Sequence, residues 1–302
     1  MHVGDITTIV FLTLLTMLNI IFHARVASWA MLITLNTIAS VAIVLYCPYA
    51  DNTSGVRKWL RDFYMVFGIP LVFKELYLMI QPIHPIDYDS VFIAIDHWMF
   101  GVHPTQWLHQ FSHPVLTEIL QVAYSSFYFL LIIIGIDLYQ RKNKDAFEHS
   151  FFAIVYGFFL SYLGYLIMPA IGPRFTLHDF SRLNEELPGL FITPIFRTLL
   201  NAGESIPDGT LNPAALVQRD VFPSGHTQMT LVVMYLAAKY HSRTRWFLWI
   251  SGSLLIIGTV YLRYHYVFDL IGGAAFFAFT VWSAPKVEQW WNTWRGNTAS
   301  NR

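Results

Sequence analysis

Eight apolar runs, each near the ~20 residues that a membrane-spanning helix requires, constrain the fold of this chain more than any other feature. They cover approximately residues 6–22, 28–46, 62–80, 117–138, 150–171, 226–240, 245–263 and 266–284. Backbone N–H and C=O groups find no partner in hydrocarbon, so each run must close its own hydrogen bonds as a helix. The expected fold is therefore all-α, a polytopic membrane helix bundle forming one domain over residues 1–302. Composition agrees. Of the 302 residues 55% are hydrophobic and 13% charged, and the mean hydropathy is +0.46, more apolar surface than a water-soluble core would bury. The first run has no basic stretch ahead of it and no small-residue cleavage site behind it, so it reads as a retained helix rather than a signal peptide. Lys74 and Glu75 interrupt the third run, and charges inside a span are expected to face the bundle interior or a polar cavity.

Lys and Arg gather in alternate loops when every span has been counted. With a cytoplasmic N-terminus, the cytoplasmic segments carry Arg57, Lys58 and Arg61, then Arg141, Lys142 and Lys144, then Lys239, Arg243 and Arg245, then Lys286, Arg295 and Arg302. The stretch from Gln81 to Glu118 has neither Lys nor Arg and falls outside, and both termini are cytoplasmic. Two outside segments are too long for turns. Residues 81–118 mix Asp87, Asp89, Asp96 and several His with Phe92, Trp98 and Trp107, the pattern of short amphipathic helices lying in the interface. Residues 172–222 hold Pro, Gly, Asn and both charge signs, and read as an ordered polar loop or lid.

Net charge is zero and no run of Lys and Arg stands out, which argues against a nucleic-acid partner. Cys47 is alone, so neither an intrachain disulfide nor a cysteine-held zinc is available. His84, His97, His103, His109 and His113 fit no familiar ligand spacing and read as interfacial histidines; no metal and no cofactor are expected.

Chemistry-bearing residues concentrate at three helix ends. Phe222-Pro223-Ser224-Gly225-His226-Thr227 opens the sixth run, with Ser224 placed as N-cap and Gly225 leaving the backbone open to a ligand. Free amides and the positive end of the helix dipole make such a terminus a phosphate site, with His226 beside it. Between the seventh and eighth runs, Tyr261-Leu262-Arg263-Tyr264-His265-Tyr266-Val267-Phe268-Asp269 sets His265 and Asp269 four residues apart, where a carboxylate can accept the imidazole proton and fix its tautomer. Arg174, just beyond the fifth run, offers a fork of donors suited to phosphate oxygens. The charge-derived topology puts all three ends on one membrane face. Taken alone, a His and an Asp at this spacing read more readily as an interfacial hydrogen bond.

The Ser-Gly-His element, followed some forty residues later by His-x-x-x-Asp, resembles the type 2 phosphatidic acid phosphatase (PAP2) superfamily of membrane lipid phosphatases. The resemblance covers roughly the last two thirds of the chain, and implies a six-helix core over residues 62–284, with the helices of residues 1–50 as additions. Ile95-Asp96-His97-Trp98-Met99-Phe100-Gly101 and Tyr261-Leu262-Arg263-Tyr264-His265-Tyr266 look like the branch that includes inositol phosphorylceramide synthases. The superfamily pattern has a cation where Ile167 stands and an arginine where Thr259 stands; Arg263, one turn after Thr259, and Lys74 are candidate replacements.

The resemblance implies a lipid phosphatase or headgroup phosphotransferase at the extracytoplasmic face of a plasma, inner or Golgi-like membrane. His265 would form a phosphohistidine, Asp269 would orient it and His226 would protonate the leaving oxygen. Arg174, Ser224, Gly225 and Arg263 would hold the phosphate. The implied partners are a lipid phosphate, the bilayer and, for transfer, a lipid alcohol acceptor. Hydrolysis and transfer both remain open at this point, as do two other classes, a lipid transporter or flippase and a catalytically inactive scaffold.

Overall fold

In the computed structural model, which describes residues 1–207 and 209–300 and side chains as far as Arg295, all regular structure among the described residues is helical. From the N-terminus run α1 (Val3–Ile21), α2 (Trp29–Asp51), α3 (Val56–Phe63), α4 (Met65–Ile83), α5 (Asp89–Phe100) and α6 (Pro104–Trp107). Next come α7 (Pro114–Ser125), α8 (Phe127–Gln140), α9 (Lys144–Ile167), α10 (Pro173–Thr176), α11 (Leu183–Glu186), α12 (Thr193–Gly203) and α13 (Pro213–Leu216). The last three are α14 (Gly225–Lys239), α15 (Arg245–Tyr261) and α16 (Val267–Ser300). The all-α expectation holds.

Five helices, α1, α2, α4, α9 and α16, are long and apolar enough to cross a membrane, and α7 with α8 passes the same test as a pair bent by 51°, the shape of a broken span or a re-entrant loop. The other two expected spans are shorter, α15 at 17 residues and α14 at 15, the latter about 22 Å at ~1.5 Å per residue. A shorter helix suffices for α14 because neighbours surround it: α8, α9, α15 and α16 all pack on it, and Met229, Val232, Val233, Leu236 and Ala237 are buried. Its N-terminus therefore starts inside the bundle, where the site is built.

The bend between α7 and α8 falls at Ser126, whose hydroxyl donates to the Ala123 carbonyl at 2.7 Å, a serine back-bond of the kind that deflects helices. It turns Tyr124 and Phe127, on either side, onto one ring, that of His226, at 4.5 and 4.4 Å.

Lys74 and Glu75 leave α4 continuous and serve different neighbours. Glu75 is buried and accepts from the Asn19 and Asn36 amides at 3.2 and 2.8 Å, tying α1 and α2 to α4. The Lys74 ammonium reaches the C-terminal end of α12, donating to the Gly203 carbonyl and to the Ser205 hydroxyl. At the opposite end, Arg61 pairs with Asp5 at 2.7 Å and Asp51 at 3.0 Å, fastening α1, α2 and α3.

Residues 81–118 form α5, α6 and a 3-10 turn at Leu108–Phe111 before entering α7. The described residues of the 172–222 segment form α10 to α13 and a 3-10 turn at Phe180–Arg182; α12 packs on α7 and so lies over the site.

Candidate active site

Ser224 caps α14, its hydroxyl oxygen accepting from the Thr227 amide at 3.2 Å, while its own amide donates to the Asp269 carbonyl at 3.0 Å. The Ser-Gly-His loop is thereby fixed to the first turn of α16. Gly225 is required by close packing: a Cβ there would meet the Tyr165 hydroxyl at 2.3 Å. Gly225→Ala should lower the melting temperature by several degrees, matching the ~1–3 kcal/mol that overpacking costs. Adding Tyr165→Phe, which removes the obstructing oxygen, should restore most of the loss in a thermal melt; no restoration would place the strain elsewhere.

The end of α15 supplies the second element. Arg263 adopts φ +68, and the turn it makes lets the Tyr264 and His265 amides both donate to the Thr259 carbonyl, at 2.9 and 3.0 Å. His265 is thus delivered to the N-terminal turn of α16. Its Nδ1 lies 3.5 Å from Asp269 Oδ2, and that oxygen also accepts from the Tyr266 amide at 2.9 Å. His265 Nδ1 and Asp269 Oδ1 are both buried without a hydrogen-bond partner. The His226 and His265 rings stand edge to face, 5.7 Å between centroids. Burial first, then the adjacent His226, holds the His265 imidazole well below its ordinary value. It is therefore neutral at physiological pH, with a lone pair available.

Arg174 is buried at 3% exposure and caps an aromatic column. His226 stacks on Tyr124 at 4.5 Å, Tyr124 on Tyr264 at 4.1 Å, and the Arg174 guanidinium lies 4.4 Å over Tyr264. Its amide donates to the Arg263 carbonyl at 3.1 Å, and the preceding Gly172, at φ +93, has no room for a Cβ, which would sit 2.9 Å from the Tyr264 carbonyl oxygen. Sequence reasoning placed Arg174 here but read Tyr124 only as part of an apolar run.

Arg263 sits differently from Arg174. Its guanidinium is held by Glu186 at 2.5 Å and faces His109 Nδ1 at 3.3 Å. Lys74 reaches the rim, as does Glu204 after α12, which pairs with Arg174. Asp220, just before the Ser-Gly-His loop, joins them.

Two carboxylates of α5 hold the assembly together, and only one was singled out in the sequence. Asp96 accepts from the Val267 and Phe268 amides at 2.9 Å each, so it caps α16 from a neighbouring helix. Asp89, two turns earlier, accepts from the Ile171 and Gly172 amides at 3.0 and 2.8 Å and from the Tyr266 hydroxyl at 2.8 Å. One helix face therefore anchors both the Arg174 loop and the His265 loop. Burial raises both carboxyls, against the opposing pull of these amides.

An apolar cavity of about 510 Å³ ends at this cluster. It runs between α4, α8 and α9, from Phe63 and Phe147 past Ile69, Leu131 and Phe158 to Tyr124 and His226.

Fold and site together define a helical membrane protein whose paired histidines and carboxylate meet at a helix N-terminus, with an arginine at the other end of the aromatic column that starts on His226. A sequence model of the PAP2 superfamily matches residues 91–283, well over half of the chain, and the chain belongs to that superfamily. Its function is of the phosphatase type, carried on a membrane protein. No curated protein and no solved structure matches the chain. The matched stretch contains His226, His265, Asp269, Arg174, Ser224, Gly225 and Arg263.

Proposed function

We propose that the protein cleaves or transfers the phosphate-linked headgroup of a membrane lipid through a phosphohistidine on His265. One observation carries this reading: His226, in the first turn of α14 and with its ring 5.7 Å from that of His265, lines the end of an apolar cavity rising through the bundle. A lipid chain in the cavity sets its phosphate against both imidazoles.

His265 has Nδ1 turned to Asp269, which leaves Nε2 to attack phosphorus. His226 protonates the departing oxygen and then takes a proton from the incoming water or lipid hydroxyl. The Arg174 guanidinium and the first amides of α14 hold the equatorial oxygens as charge develops on them. Ser224 and Gly225 shape that terminus. Arg263 acts at one remove, holding Glu186 of the lid and setting the turn that delivers His265. Water as acceptor makes the protein a phosphatase, and a lipid alcohol makes it a headgroup transferase. The termini are cytoplasmic and the site extracytoplasmic, as the Lys and Arg distribution supports.

The test is turnover of purified protein, in chelator, on a panel of lipid phosphates with and without a lipid alcohol acceptor. Metal-free release of phosphate, or an acceptor-dependent phospholipid, that falls about 10²-fold in His226→Ala is expected from loss of a general acid. Turnover that appears only with added metal would exclude the histidine mechanism.

A further inference from the structure

The two histidines are held in different ways. His265 Nδ1 faces the Asp269 carboxylate at 3.5 Å, whereas among the described residues no group is hydrogen-bonded to either ring nitrogen of His226. What touches the His226 ring is other rings. Tyr124 stacks on it at 4.5 Å with 23° between planes, Phe127 leans on it at 4.4 Å, and His265 meets it edge to face at 5.7 Å. Tyr124 is itself braced: it is 2% exposed, lies parallel to Tyr264 at 4.1 Å with 6° between planes, and Tyr264 packs under the Arg174 guanidinium at 4.4 Å. The column therefore has one fixed end and one reactive end.

We propose that Tyr124 is a positioning residue for the reaction, its ring aiming the His226 imidazole at the departing oxygen by stacking, with Phe127 as the second wall. Stacking here takes the place of a carboxylate of the kind that faces His265. The inference rests on the phosphohistidine reading and supplies the support of its proton donor. A hydrogen-bonding partner would occupy one ring nitrogen, but a stacked ring fixes the plane of the imidazole and occupies neither. Both nitrogens then stay uncommitted, as suits a group that gives a proton and later takes one back. The protonated imidazole is also a cation over the face of a tyrosine ring, an attraction that the neutral form lacks, so the same contact favours the acid form. An aliphatic side chain would fill the space without offering a flat face. The imidazole would then turn about its Cβ–Cγ bond, and the donor nitrogen would swing off line.

The step served is balanced by the groups present. As the His265 N–P bond forms, the electron pair of the breaking P–O bond passes to the leaving oxygen, which takes its proton from His226. Water or an acceptor hydroxyl then forms a new P–O bond, the N–P bond breaks, and the proton of that hydroxyl goes to His226.

The experiment separates aim from bulk. The full chain in detergent micelles is given two probes: decyl phosphate, whose alkoxide needs a proton to leave, and para-nitrophenyl phosphate, whose phenolate leaves without one. In Tyr124→Leu, kcat on decyl phosphate should fall by about tenfold or more, a part of the ~10²–10⁴-fold that general acid catalysis contributes, while kcat on para-nitrophenyl phosphate changes little. Tyr124→Phe, which restores the ring, should recover the decyl phosphate rate, and Phe127→Leu should repeat the selective loss in weaker form. A second measurement needs no turnover. In protein with isotope-labelled histidine, the His226 ring protons should resonate upfield under the Tyr124 ring, move downfield in Tyr124→Leu and stay in place in Tyr124→Phe. Equal losses on the two probes, no loss on either, a decyl phosphate rate that Tyr124→Phe fails to recover, or a His226 resonance that Tyr124→Leu does not move would each overturn the proposal. A His226→Ala protein that slows both probes alike is a different failure, that of His226 as proton donor in the phosphohistidine reading, and it takes this proposal with it.

Discussion

Replacing His265 with alanine is expected to lower turnover by ~10³-fold or more and to abolish a covalent phosphoprotein that the wild type forms. The wild-type adduct should be labile in acid and stable in base, as a phosphorus–nitrogen bond to imidazole is. His226→Ala separates the two roles, slowing turnover while the nucleophile still takes up label. The ring of His265 is 4% exposed and faces His226, so its removal leaves a ring-sized space beside the phosphate position. Imidazole added at millimolar concentration should enter that space and restore part of the rate, without restoring label on the protein. A His265→Ala protein that still labels would move the nucleophile to another residue, and His226 would be the first to examine.

Much of this site was legible in the sequence because its parts are local. Ser224 and His226 belong to one helix start, and His265 and Asp269 to one turn; spacing on a helix fixes such relations without knowledge of the tertiary fold. The charge alternation of the loops then brought the two elements to one face. Helix type was equally readable, since hydrocarbon leaves the backbone no alternative.

What the sequence did not disclose are relations across long separations and choices between partners. Asp89 holds groups 82 and 177 residues away, at Ile171 and Tyr266, and no local pattern distinguishes it from Asp87. Glu204 and Asp220 sit in the 172–222 segment, where acids read as ordinary surface charge until α12 is seen lying over α7. Arg263 was expected one turn after Thr259 on a continuing helix. Its positive φ ends that helix instead, and its guanidinium goes to Glu186 and His109. The expected span at 117–138 hid a 51° bend because every residue around Ser126 is compatible with a straight helix, and only the position of His226 makes the bend useful.

Asp269 offers the second large effect, and two substitutions divide it. Asp269 Oδ2 accepts from the Tyr266 amide at 2.9 Å and lies 3.5 Å from His265 Nδ1, while Oδ1 meets nothing. Asparagine can put its carbonyl oxygen where Oδ2 stands and its amide where Oδ1 stands. It would then keep the Tyr266 hydrogen bond and the approach to His265 Nδ1, with Nε2 free, and remove only the negative charge. Asp269→Asn should therefore lose about 10²-fold in kcat, the ~3 kcal/mol that a buried carboxylate contributes to a developing phosphoimidazolium, with little change in KM. Alanine removes charge, acceptor and the cap on the first turn of α16 together. Asp269→Ala should fall by ~10³–10⁴-fold, in the range seen when the orienting acid of a histidine is lost, and should also melt at lower temperature. Equal losses in the two variants would mean that Asp269 works by position and not by charge. Equal activity in asparagine and wild type would mean that the His265 intermediate carries no positive charge needing a counter-ion, and the role of Asp269 would reduce to holding Tyr266 and the turn that delivers His265.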